Sequence, residues 1–156
     1  MLKFGEKTYL LASQQGIFGF KTFQIRDDLT MKYKRHVTDN AKMRIDDIDD
    51  MTTATIAGKQ FVFMTSAAED GVTAFWMQRW GNVKERASAS PETGLYIDKP
   101  VALATASLDG KFYLIVAAAG SGSVSTLQVG AWSQLSPLDH VLGNLHTRFD
   151  GVTALF

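Results

Sequence analysis

The side chains best suited to chemistry are few, and their spacing narrows what they can do. Trp80 and Trp132 stand 52 residues apart, in the turn-like segments RWGNV and AWSQL, and Asp28 holds the same place in RDDLT. An indole on an exposed turn leaves apolar surface in water unless it packs or binds something. Indole faces stack on sugar rings and anchor protein contacts. Trp80, Trp132 and Asp28 are therefore the candidate ligand-binding residues, for a glycan or a protein partner. The competing expectation is that each ring packs on a neighbouring element, which is the reading for Trp76. Carboxylates offer a second chemistry. Asp49, Asp50, Asp98 and Asp150 each stand near an expected inner strand, and a cluster of them would suit a cation. Asp50, Asp98 and Asp150 are the metal candidates, against the plainer role of capping turns. The run Ile45-Asp46-Asp47-Ile48-Asp49-Asp50 lacks the spacing of a calcium-binding loop and reads as a solvated loop, the alternative being a docking site for a basic partner.

Other chemistries find no constellation. His36, His140 and His146 form neither HExxH nor any pair four residues apart, and read as surface histidines. The string Gly120-Ser121-Gly122-Ser123 departs from the G-x-S-x-G elbow and reads as a hairpin turn. With no cysteine, disulfides, thiol catalysis and cysteine-held metals are excluded. No catalytic residue and no cofactor is expected. Lys32, Lys34, Arg35 and Lys42 form a basic patch around Tyr33, but the acidic run follows at once, so no nucleic-acid partner is expected.

The elements that must carry these residues repeat. Tyr9, Phe61 and Tyr113 are spaced by 52 residues, as are Phe20, Val72 and Val124. So are Phe23, Phe75 and Leu127, then Ile25, Met77 and Val129, then Met31, Val83 and Leu135. Each unit holds a short apolar run (YLLAS, FVFMTSA, YLIVAAA), a turn, an alternating run (FKTFQI, VTAFWM, VSTLQV), a second turn and a more polar segment. Alternation predicts that Thr73, Phe75 and Met77 share one face of their strand, and that Ser125, Leu127 and Val129 share one face of theirs. Further segments, MTTATI and VALATASL, precede the second and third units. Many short strands at this period predict an all-β fold of four-stranded β-propeller blades. The expected blades are 1–47 with 152–156, then 48–97, then 98–151.

Composition agrees with one folded unit. The chain has 156 residues, 46% of them apolar, with 16 basic and 16 acidic side chains. No apolar run is long enough for a membrane helix, so no membrane insertion is expected. The opening MLKFGEKTYLLAS has no signal-peptide pattern, so the expected locations are the cytoplasm, leaderless export or a larger particle. The final segment Val152-Thr153-Ala154-Leu155-Phe156 matches the start of an inner strand, which the first unit lacks. Three blades are too few for one ring. The expected closure is a homodimer of six blades, with Val152, Leu155, Phe156, Met1 and Phe4 at the interface.

VALATASLDGKFYLIVAAAGSGSVSTLQV, with its weaker copy MTTATIAGKQFVFMTSAAEDGVTAFWM, resembles bacterial WD40-like and lactonase-like propeller repeats. The resemblance covers nearly the whole chain, but three units stand where such rings have about seven. It implies the fold and a surface-binding role, and carries over no catalytic residue. The expected function is a non-enzymatic binding or assembly module that presents rim loops to a glycan or protein. The alternatives are a metal-dependent, lactonase-like hydrolase with its site in the central channel, and a structural subunit of a particle.

Overall fold

The computed structural model describes residues 1–144, 146–147 and 151–155. Its strands form three four-stranded antiparallel sheets, each taken in chain order. Blade 1 contains β1 (Leu2–Phe4), β2 (Lys7–Ser13), β3 (Gly19–Ile25) and β4 (Met31–Thr38). Blade 2 contains β5 (Ile48–Ile56), β6 (Lys59–Ser66), β7 (Gly71–Met77) and β8 (Val83–Ala89). Blade 3 contains β9 (Pro100–Leu108), β10 (Lys111–Ala118), β11 (Ser123–Val129) and β12 (Leu135–Leu142).

Local chemistry sets these elements. The strands are rich in β-branched and aromatic residues, which suit a half-buried pleated surface. Ala57-Gly58 and Asp109-Gly110 have positive φ at both positions, 49° and 72° in one, 49° and 71° in the other. That is the hairpin turn whose twist matches its strands. A register shift recurs at Thr22/Phe23, Ala74/Phe75 and Thr126/Leu127, one repeat apart each time. The bulge is therefore part of the repeat, and it adds twist to each outer hairpin.

Alternation divides each strand between two seams. Phe75 and Met77 join Tyr9, Phe20, Val62 and Met64 in the core between blades 1 and 2. Val72 and Ala74 join Phe61, Phe63, Leu114, Val116 and Leu127 between blades 2 and 3. Blade 2 is covered on both faces, which explains its unbroken apolar run FVFM. The Asp50 carboxylate also ties blades 2 and 3, accepting the Leu103 N–H at 2.7 Å.

Two expectations change. The acidic run is no free loop: Ile45 is fully buried, Ile48 packs on the same core, and Ile48–Asp50 opens β5. The two isoleucines decide this, because burying them outweighs the cost of half-burying neighbouring carboxylates that find backbone donors. Blade 1 also has an innermost strand of its own. It is only three residues long, against nine for β5 and β9. Residues 152–155 form no strand, and beyond Tyr9 the inner edge of β2 has no partner among the described residues. Among the described residues, no helix is long and apolar enough to cross a membrane.

Candidate functional site

The site lies where the β7–β8 turn of blade 2 meets the β1–β2 turn of blade 1. Arg79–Gly81 forms one 3-10 turn, closed by Gln78 N–H donating to Asn82 O at 2.7 Å. Gly81 is pressed against blade 1. Its φ is +79°, and a Cβ there would sit 2.9 Å from the Tyr9 ring. The Thr22 hydroxyl donates to Gly81 O at 3.1 Å. With Gly81 held inward, Trp80 takes a left-handed conformation (φ 64°) and its side chain is 65% exposed. Such a backbone is costly for a bulky residue, and the docked turn imposes it.

Beside the indole is a cavity of about 240 Å³ lined by Phe4, Glu6, Lys7, Tyr9, Arg79 and Trp80. Burial pushes the Tyr9 phenol above its usual range, so it stays neutral. A second cavity of about 470 Å³ shares Glu6 and Lys7 and continues past Gln24, Arg26 and Asp27 to Lys32. The two adjoin at Glu6 and Lys7, with an aromatic plate at the end of the first and charged hydrogen-bonding groups along the second. This arrangement can stack a flat apolar ring face and bond its hydroxyls.

The repeat-equivalent seam is built otherwise. Trp132 occupies the β11–β12 turn, closed by Gly130 N–H to Gln134 O at 2.9 Å. The Lys59 ammonium lies 3.6 Å from the centre of the Trp132 ring and 5.2 Å from that of Trp76. Arg86 stands 5.8 Å from Trp132. This ring is already engaged as a cation–π partner between blades. Asp28 turns its carboxylate into its own turn, where the Thr30 hydroxyl and N–H donate at 2.6 and 2.9 Å. The hydroxyl bond chiefly, then the amide, holds its pKa below the usual carboxylate value.

The carboxylates at the inner strands serve the backbone. Asp49 accepts the Ala67 N–H at 2.6 Å, and Asp50 accepts Met51 N–H as well as Leu103 N–H, both at 2.7 Å. The Asp98 carbonyl accepts Gly120 and Ser121 N–H at 2.9 and 3.3 Å, with its carboxylate over Gly120. Among the described residues no three His, Asp or Glu side chains converge to hold a metal, and Asp150 lies outside them. Of the proposed interface residues, Met1 is exposed, and Phe4 packs on the seam core and lines the groove. Val152 and Leu155 are half-buried, and Phe156 lies outside the described residues.

Sequence reasoning missed Glu6, Lys7 and Arg79 in the groove, and Lys59 at the second seam. The signal existed: Lys7, Lys59 and Lys111 share one repeat column. It also missed a polar cleft of about 240 Å³ in blade 3, lined by Tyr96, Ser125, Asp139 and His140. The Ser125 hydroxyl there is buried without a partner, whereas its equivalent Thr73 accepts the Arg44 N–H at 2.8 Å.

Among solved structures, the chain is similar to a protein from Lactobacillus plantarum, at 17% identity and a TM-score of 0.65. The match covers 87% of this chain and 39% of that one. It is also similar to an exo-β-1,3-galactanase from Clostridium thermocellum, at 17% identity and a TM-score of 0.60, covering 88% of this chain and 35% of that one. The fold is β-propeller-like. The chain spans well under half the length of either structure. No family model and no curated protein matches it.

Proposed function

We propose that the protein is a non-enzymatic binding module whose ligand is a glycan, stacked on Trp80 and hydrogen-bonded along the groove through Glu6, Lys7 and Arg79. The observation that carries this is the difference between the two rim tryptophans. Trp80 is 65% exposed and lines a groove with no cation over its ring among the described residues, whereas Trp132, 53% exposed, has the Lys59 ammonium 3.6 Å from its ring centre. An exposed indole held in a strained turn next to charged groups suits a ring with one apolar face and a hydroxylated edge. A glycan-active neighbour of similar fold, the galactanase, supplies the first probe.

The test is calorimetric titration of β-1,3-galactooligosaccharides and a panel of other oligosaccharides into the full chain. Trp80→Ala should weaken binding at least tenfold, about 1.4 kcal/mol, the scale of a central aromatic anchor. Trp132→Ala should leave affinity unchanged. Equal losses in both variants, or no binding to any oligosaccharide in the panel, would overturn the reading.

A further inference from the structure

Blade 2 shows how each face of a blade is covered. Val62, Met64, Phe75 and Met77 pack toward blade 1, and Phe61, Phe63, Val72 and Ala74 toward blade 3. All eight are at most 1% exposed. Blade 1 carries the first set again on its far face as Leu10, Ala12, Phe23 and Ile25, one repeat earlier. Blade 3 carries the second set on its far face as Tyr113, Ile115, Val124 and Thr126, one repeat later. These eight are only half-buried. The blade 1 face includes a depression of about 210 Å³ lined by Ala12, Ile17, Lys21 and Phe23 among others. Lys21 stands on that face where the other blades have Thr73 and Ser125, and its stem extends the apolar surface, while Lys3, opposite Thr8, adds a second charge at its inner edge.

The two open faces are the two halves of one seam, and the structure shows that seam formed twice. At the first, Phe20 meets Phe75 edge-to-face with ring centres 5.3 Å apart. Val124 holds the repeat place of Phe20, and Phe23 that of Phe75. We propose that a second copy of this chain covers both faces, blade 3 of each copy seated on blade 1 of the other. Val124 of one copy then packs on Phe23 of the other. The occupant is a second copy because the surface that fits each face is the face at the opposite end of the same arc. Two copies cover all four faces with two identical seams, so the head-to-tail contact closes instead of propagating. The new seams pair the same repeat columns as the established ones. The proposal is independent of the glycan reading.

The experiment is light scattering after size exclusion on the full chain over a hundredfold range of concentration. The expected mass is about twice 17.2 kDa. Val124→Asp spoils only the blade 3 face and Phe23→Asp only the blade 1 face, so each variant alone should run at single mass. Mixed, the two variants still share one intact seam, and a double-mass species should appear that neither forms alone. Circular dichroism checks that each keeps its β spectrum. If one does not, Thr126→Arg or Leu10→Glu replaces it on the same face. A wild-type chain at single mass throughout would overturn the proposal. So would a dimeric wild type whose variants stay single on mixing, because that shows a contact other than blade 3 on blade 1.

Discussion

Phe75→Ala should be among the most damaging substitutions in the chain, and Phe23→Ala, at the same repeat position, should be mild. Phe75 is fully buried in the seam between blades 1 and 2 and meets Phe20 edge-to-face at 74°. Truncating a buried phenylalanine costs about 3–5 kcal/mol, transfer and cavity together. Roughly 0.5–1.5 kcal/mol of that belongs to the edge contact between the rings. Against a total stability of about 5–15 kcal/mol, the loss removes a large share of the margin. Phe23 is half-buried, in a T-shaped contact with Tyr33 at 5.9 Å between ring centres. Its removal leaves a depression open to water instead of a closed cavity. The expected cost in the isolated chain is therefore about 1 kcal/mol, a fraction of the full transfer term. Urea unfolding followed by tryptophan fluorescence at low protein concentration measures both. Equal losses in the two variants, or a Phe75→Ala loss below about 1.5 kcal/mol, would refute the assignment of Phe75 to a closed seam and Phe23 to an open face.

Gly19→Ala should abolish folding or cost several kcal/mol. Gly19 has φ +111°, and a Cβ there would overlap the Val37 carbonyl oxygen; a thermal melt within a few degrees of wild type would contradict this. Stability should also rise on mild acidification. Burial, mainly, raises the Glu69 and Asp39 carboxyls above their usual range, outweighing the backbone N–H groups of Asp46 and Asn40 and, more weakly, Arg44 at 3.9 Å from Glu69. The folded state then binds more protons than the unfolded one, so stability increases as pH falls from neutrality toward the ordinary carboxylate value near 4.3. Glu69→Gln should flatten that rise, and a wild-type urea midpoint that drops between pH 7 and pH 5 would contradict the sign.

Much of the fold was legible because its determinants are local. A strand shows its two faces by alternation, so Phe75 and Met77 separate from Val72 and Ala74 within one heptapeptide. The hairpin turns announce themselves by Ala57-Gly58 and Asp109-Gly110. The site was half legible. The two tryptophans and their turns followed from the repeat, but their different states did not. Those depend on Lys59, which reaches Trp132 from another blade. The acidic run misled for a related reason. Its charges suggested solvent, while Ile45 and Ile48 had a core to fill that only the assembled seam provides.

The column one position before Ile25, Met77 and Val129 accounts for the different surroundings of the two turn tryptophans. It holds Gln24, Trp76 and Gln128. In blade 2 the ammonium of Lys59 finds two rings, Trp76 at 5.2 Å and Trp132 at 3.6 Å. A cation between two indoles gains from both quadrupoles and loses little conformational freedom once the first ring has fixed it. In blade 1 the equivalent Lys7 has Gln24 beside it along the groove instead of an indole. Gln24 offers no ring face to hold the lysine over Trp80, and the lysine lines the groove with Glu6. One residue type in a repeat column, set by neither turn nor tryptophan, thus separates an indole that holds a lysine from one that does not.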